Sequence, residues 1–231
     1  MSFWQILKQD FTEPMRQDPA CNSVFEIFFC YPGVWALINY RFAHFFYERG
    51  FKLVARAISG LTRIITAVDI NPGAQIGRGV FFDHATGLVI GETAIIGDNC
   101  LIYQGVTLGG VSLEHGKRHP TLQNGVVVGA GAKVLGNITI GANSKIGANS
   151  VVVKDVAPNC TAVGVPARIL GGCESDPLAH NKIPDISQEL IKYLIKRIEI
   201  LEDCICSGRK DISAMDEDLN KFYEEYLKSL K

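Results

Sequence analysis

Four residues of this 231-residue chain carry acid–base or anion-binding side chains at places where a sequence repeat loses its register: Asp83, His84, Arg118 and His119. Histidine exchanges a proton near neutral pH, which suits it to general acid or base work. Arginine presents a rigid two-pronged donor to a carboxylate or phosphate. The repeat they interrupt places an apolar residue at every sixth position: Ile70, Ile76, Phe82, then Ile90, Ile96, Ile102, Leu108, then Val128, Val134, Ile140, Ile146 and Val152. Two extra residues separate Phe82 from Ile90, and Leu108 lies three repeats plus two residues before Val128. Breaks in a repeat are where loops leave the scaffold and chemistry gathers. Singly, an Asp-His pair at a turn or an Arg-His pair in a loop is an ordinary structural feature. Their joint position at the two breaks is what points to function.

The elements that must hold these residues follow from the period. Six residues suit a coil of three short strands joined by tight corners, the first residue of each hexapeptide facing a narrow interior. Gly77, Gly91, Gly97, Gly109, Gly129, Gly141 and Gly147 are expected to give the corners backbone freedom. Ala74, Ala94, Cys100, Ala132, Ser144 and Ser150 are compact partners four places on. At 18 residues per coil, Ile70 to Ala157 gives about five coils of a parallel β-helix.

Residues 1–66 read as helical. Pro14 and Pro19 predict a loop or short turns between Asp10 and Ala20. Trp35, Ile38, Phe42 and Phe45 mark one apolar helix face, and Val54, Ala57, Ile58, Leu61, Ile64 and Ile65 a second, with Gly50 stopping the first helix. His44, among aromatics, is expected to be a satisfied core histidine. Beyond the repeat, Gly164 to Arg168 reads as an end loop and 173–184 as a linker. Ile191, Leu194, Ile198, Leu201 and Ile205 predict a helix, and 211–231 a weaker, charged one. The fold class is thus α+β: a short N-terminal helical domain (1–66), a β-helix (67–170) and a C-terminal helical extension (171–231).

Lys plus Arg (23) nearly balances Asp plus Glu (24), so no field of one sign recruits nucleic acid or an anionic membrane. The first residues lack the pattern of a secretory signal. The longest apolar run, Ile27 to Ile38, is broken by Pro32-Gly33 and is shorter than the ~20 residues a bilayer span needs. A soluble, cytoplasmic protein is expected. The 7 cysteines show no Cys-x-x-Cys spacing and are expected to be reduced thiols.

Ordered motifs carry a resemblance: Asp18-Pro19-Ala20, Val68-Asp69-Ile70-Asn71-Pro72, Asp83-His84-Ala85-Thr86-Gly87, Gly91-Glu92-Thr93, Gln104 to Gly110, Lys117-Arg118-His119-Pro120 and Gly164-Val165-Pro166-Ala167-Arg168. Over roughly residues 1 to 170 the chain resembles the serine O-acetyltransferases among the hexapeptide-repeat acyltransferases. The resemblance implies a left-handed β-helix, a hand opposite to that of ordinary parallel crossovers. It implies trimers with active sites between neighbouring prisms. The implied reaction moves the acetyl group of acetyl-CoA to the hydroxyl of L-serine, giving O-acetyl-L-serine, the first step of cysteine biosynthesis.

In that reading His84 is the general base and Asp69 the carboxylate that orients it. Asp18 and Asp83 contact the amino acid, Arg118 clamps its carboxylate and His119 is a further substrate contact. Acetyl-CoA, a co-substrate and not a bound cofactor, would lie along Gly109, Gly110, Ala130 and Ala148, with Lys154 as a phosphate partner.

Two rivals share the prism. An O-acetyltransferase for another small hydroxyl acceptor would keep His84 and the CoA groove without needing Asp18, Asp83 and Arg118. A zinc hydratase of the γ-carbonic anhydrase type would need three histidines, for which His84, His115 and His119 are the available trio. The acetyltransferase motifs leave nothing for zinc to explain, so no metal is expected. The N-terminal region is shorter than in relatives that pair two trimers, leaving homotrimer and dimer of trimers both open. The chain ends in Ser229-Leu230-Lys231, where many relatives end in an isoleucine that enters cysteine synthase, which argues against that partner.

Overall fold

The computed structural model describes residues 2–170 and 193–198. Four helices come first: α1 (Phe3–Gln17), α2 (Val24–Cys30), α3 (Pro32–Glu48) and α4 (Lys52–Thr66). Short strands then wind into a three-sided parallel coil of about five turns. Face A stacks Asp69–Ile70, Val89–Ile90, Thr107–Gly109, Lys133–Leu135 and Val151–Val152. Face B stacks Gln75–Ile76, Ile95–Ile96, Thr121–Leu122 and Thr139–Ile140. Face C stacks Phe81–Asp83, Leu101–Tyr103, Val127–Val128, Lys145–Ile146 and Thr161–Gly164, and an antiparallel strand, Ala167–Leu170, closes it.

The six-residue pattern produces this prism because each inward position is walled off by the coil above and below. Ile70, Ile90, Leu108, Val134 and Val152 from face A meet Ile76, Ile96 and Ile140 from face B and Phe82, Ile102, Val128 and Ile146 from face C in one core. Burial of side chains this size contributes roughly 1.5–3 kcal/mol each. Leu122 is also buried, so the grid resumes one repeat earlier than the spacing to Val128 suggests, and the second break narrows to residues 110–120.

The corner glycines work differently from the expectation. Left-handed backbone is adopted by Asn99, Asn143, Asn149 and Asn159, with φ of 56–59°, and by other glycines such as Gly105, but not by Gly77 or Gly129. Gly129 is needed because a Cβ there would stand 2.7 Å from the backbone nitrogen of Ala148 on the next coil. Absence of a side chain, not freedom of φ, is the requirement.

Several helical expectations change. α1 runs through Pro14, and Pro14 lends its carbonyl to Asp18 N–H at 2.8 Å. What holds it is tertiary: Arg41 of α3 binds buried Asp10 at 2.9 Å and donates to the Ile76 and Gly77 carbonyls of the prism at 2.5 and 2.6 Å. On α3 the buried side is Val34, Leu37, Tyr40 and Ala43, whereas Phe42 and Phe45 pack against Phe3 of α1. Gly50, at φ 84°, separates α3 from α4 as expected. His44 Nδ1 lies 2.8 Å from the Pro72 carbonyl and its ring stacks on Tyr40, the satisfied role foreseen for it.

α4 inverts its expected orientation. Ala55, Ser59, Thr62 and Thr66 are its buried positions, against α3 and the first strand of the prism, and Ser59 Oγ donates to the Ile70 carbonyl at 2.8 Å. Leu61, Ile64 and Ile65 are 63%, 81% and 78% exposed. Cys160 is disulfide-bonded, which departs from the reduced-thiol expectation, whereas Cys21, Cys30 and Cys100 are free thiols. Spacing cannot reveal such a pair, since only the fold decides which Cβ atoms come within bonding reach. Residues 193–198 are helical, in line with the Ile191 to Ile205 pattern, whose remaining positions and the 211–231 pattern lie outside the described residues. Among the described residues no helix is long and apolar enough to cross a membrane.

Candidate active site

The two register breaks occupy different corners of the prism. The first, residues 84–88, turns from face C to face A, and the second, 110–120, turns from face A to face B. Face A lies between them.

At the first corner, Phe81–Asp83 pairs with Leu101–Tyr103 until Asp83 lies beside Tyr103, and the chain then turns sharply. His84 and Ala85 both adopt left-handed backbone, φ 56° and 57°. That conformation is uncommon for residues with a Cβ and is tolerated when neighbours fix it. Here Ala85 N–H bonds to the Asp83 carbonyl, Thr86 N–H to the His84 carbonyl and Gly87 N–H to the Ala67 carbonyl. The turn pushes the His84 imidazole outward, 74% exposed, with its Nε2 3.9 Å from Asp83 Oδ1.

α1 delivers the third group. Asp18 is its C-cap. One carboxylate oxygen accepts from Ala20 N–H at 2.8 Å and the other from the Tyr31 hydroxyl at 2.5 Å. These bonds, with the nearby His84, hold Asp18 below the usual carboxylate range. Asp83 is raised instead, first by burial and also by repulsion from Asp18, against the pull of His84. The fold therefore brings Asp18, Asp83 and His84 into one electrostatic neighbourhood across 65 residues of sequence, Tyr103 beside them. Two carboxylates there invite a cation, since a positive ligand relieves their mutual repulsion.

Asp69 stands at the start of face A, where its carboxylate pairs with Arg63 at 3.2 Å. Among the described residues it makes no hydrogen bond to His84. Both partners of the Arg63 pair are well exposed, so the attraction is weak, on the order of 0–1 kcal/mol.

At the second corner the loop is stitched down. Lys117 Nζ donates to the carbonyls of Thr93, His119 and Pro120 at 2.8, 2.5 and 3.2 Å. Thr93 Oγ1 accepts the backbone N–H groups of Arg118 and His119 at 3.0 and 3.1 Å. It also lies 2.9 Å from His119 Nδ1, which accepts from Thr93 N–H at 3.2 Å. This network assigns the ring proton to Nε2. The His119 ring is buried over Gly91, where a Cβ would fall 1.9 Å from the ring Cδ2, so no other residue fits there. Burial, then the charges of Arg118 and Lys117, press His119 toward its neutral form.

Arg118 Nη2 donates to Glu92 Oε2 at 2.6 Å, and Tyr47 donates to the other Glu92 oxygen at 3.3 Å. Glu92 is held below the usual carboxylate range chiefly by Arg118. A cavity of about 390 Å³ opens beside them, lined among others by Gln75, Thr93 and His115.

The residues expected to bind CoA divide in the same way. Ala130 and Ala148 sit at the corner of His84, whereas Gly109, Gly110 and Lys154 sit at or next to the corner of Arg118. One chain therefore unites Asp18, Asp83 and His84, and separately Arg118 and His119, without joining the two sets. Sequence reading assigned no role to Tyr31, Glu92, Thr93 or Tyr103. Tyr103 could have been found from its register opposite Asp83, while nothing in the sequence links Tyr31 to Asp18.

The parallel hexapeptide coil places the chain among the hexapeptide-repeat proteins, and the family model "Bacterial transferase hexapeptide (six repeats)" matches residues 119–154. The serine acetyltransferase of Synechococcus elongatus is 52% identical over 87% of this chain and 83% of its own length. That of Mycobacterium tuberculosis is 49% identical over 85% of this chain and 86% of its own. Among solved structures, a Brucella abortus serine acetyltransferase in complex with coenzyme A superposes with a TM-score of 0.71 at 45% identity, covering 73% of this chain and 68% of that one. A soybean serine acetyltransferase complexed with serine gives the same TM-score and identity over 73% and 70%. The chain belongs to the serine acetyltransferase family.

Proposed function

We propose that the chain transfers the acetyl group of acetyl-CoA to the hydroxyl of L-serine with His84 as general base. The observation that carries this reading is the convergence of Asp18, Asp83 and His84 on one corner from two distant stretches of sequence. The serine hydroxyl oxygen attacks the thioester carbonyl carbon while the exposed His84 imidazole takes the hydroxyl proton. The carbon–sulfur bond then breaks, and the imidazolium returns the proton to the CoA sulfur. Asp18 and Asp83 hold the serine ammonium. Asp69 orients the far nitrogen of His84 once it leaves its weak pair with Arg63.

Arg118 and His119 complete the site from a neighbouring copy, Arg118 clamping the serine carboxylate. A closed threefold ring with face A turned inward brings the His84 corner of one chain to the Arg118 corner of the next. It also joins the two halves of the CoA set, Ala130 and Ala148 with Gly109, Gly110 and Lys154. The outward stripe of Leu61, Ile64 and Ile65 on α4, which packs at the base of face A, supports such an assembly, because a lone chain leaves it in water.

The test follows free thiol in mixtures of protein, acetyl-CoA and L-serine. Serine-dependent release should fall about 10²–10⁴-fold in His84→Ala, and full activity in that variant overturns the base assignment. Co-expressed His84→Ala and Arg118→Ala chains should recover activity, since every mixed trimer holds one intact junction. Random pairing restores about a quarter of the sites. Silent mixtures overturn the shared site.

A further inference from the structure

The contact between Tyr31 and Asp18 joins the site to a residue that the reaction scheme does not use. Tyr31 occupies the joint between α2 and α3, followed by Pro32 at the first position of α3. Its hydroxyl donates to Asp18 Oδ2 at 2.5 Å while Ala20 N–H donates to Oδ1 at 2.8 Å. With both oxygens held, the plane of the carboxylate is fixed, and each oxygen keeps a second lone pair for a ligand N–H.

We propose that Tyr31 is a positioning residue that fixes the Asp18 carboxylate for the ammonium group of the amino acid and so sets the preference for acceptors carrying that group. The inference rests on the reading of Asp18 as an ammonium contact. Burial and the charge of Asp18 push the Tyr31 phenol far upward, so it remains a neutral donor throughout the working range.

The segment around Asp18 has ties of its own besides the Tyr31 hydroxyl, which also bonds with the Cys21 side chain. Cys21 N–H bonds to the Asp18 carbonyl at 3.1 Å, Asn22 N–H to Glu26 Oε2 at 2.9 Å, and Asn22 Nδ2 to the Ala20 carbonyl at 2.7 Å. Removing one oxygen from Tyr31 therefore frees the carboxylate while leaving the loop tied. A charged acceptor that loses such a donor loses aim, and only a ligand that uses its aim notices.

Tyr31→Phe in the full chain separates this role from a structural one. The KM for L-serine should rise about tenfold, the effect of ~1.4 kcal/mol, with kcat and the KM for acetyl-CoA within about twofold of wild type. Binding of 3-hydroxypropionate, which is serine without its ammonium, should be unchanged when read by competition against serine. Equal weakening of both compounds, a rise in the acetyl-CoA KM, or a serine KM left at the wild-type value each overturns the proposal. Thermal unfolding of the variant identifies a loss that is merely structural, which also overturns it. Asp18→Asn is the control for the underlying reading. If it raises the serine KM and Tyr31→Phe does not, the role of Tyr31 fails alone; if neither does, Asp18 as the ammonium contact fails with it.

Discussion

The two broken corners of the prism solve opposite problems. At the first, the chain adopts left-handed backbone at His84 and Ala85 and leaves the imidazole 74% exposed. At the second, His119 is buried over Gly91, Arg118 is taken by Glu92, and Lys117 ties three carbonyls together. In the proposed reaction the base at the first corner must reach a substrate and exchange a proton with it, so exposure serves it. The proposed clamp at the second must keep its aim through every turnover, so a stitched loop serves it. The same residue type, histidine, is thus accessible at one corner and buried and pressed toward its neutral form at the other because the loops around it differ.

The contrast is sharpest in the two histidines. His84→Ala should remove activity by about 10²–10⁴-fold and leave the unfolding temperature nearly unchanged, because the side chain it deletes touches little. His119→Ala should do the reverse in stability, lowering the unfolding temperature, since a buried ring is lost and Thr93 loses the acceptor for its half-buried N–H. Similar stability losses in both variants would erase the distinction.

Lys117→Met comes next. Three carbonyls lose a charged donor, and Arg118 and His119 lose their seat, so the serine KM should rise by about an order of magnitude. A change confined to acetyl-CoA would show that the second corner serves the other substrate. Glu92→Gln is milder: the guanidinium keeps a neutral partner in place of a charged one, and the serine KM should shift by about threefold. Steady-state kinetics on serine at saturating acetyl-CoA measures both.

The smallest effect is in pH. Burial lowers the His119 pKa below that of the unfolded chain. Protons therefore bind preferentially to the unfolded state as the medium is acidified, so the stabilisation is present above the ordinary histidine value of about 6.5 and is lost as pH falls below it. The unfolding temperature should drop more steeply between about pH 7 and 5.5 in wild type than in His119→Asn, which keeps an acceptor for Thr93 but cannot titrate. Parallel curves would remove the case for a neutral, buried His119.

Legibility in the sequence followed the range of the interactions. The prism was readable because each hexapeptide repeats the same local demand, an apolar residue facing in with a small one nearby, and the core confirms nearly every position. The helices were readable as helices but not in their orientation. On α4 the apolar stripe turns outward and Ser59, Thr62 and Thr66 turn inward, since the prism end offers the Ile70 carbonyl for Ser59 to satisfy. Pro14 did not break α1, because the Arg41 and Asp10 pair anchors that helix to the prism. The candidate site residues stood out by motif, yet the hydrogen bonds that hold them, from Tyr31, Glu92 and Thr93, depend on contacts that no spacing encodes.

By itself the sequence determined the coil, its two breaks and the chemical groups placed there, because period and residue type are local properties of the chain. Only the tertiary structure decided that Asp18 joins Asp83 and His84, and that Arg118 and His119 stand at another corner across face A. Those outcomes depend on how α1 docks on the prism and which face each break adjoins, and both are properties of packing in three dimensions.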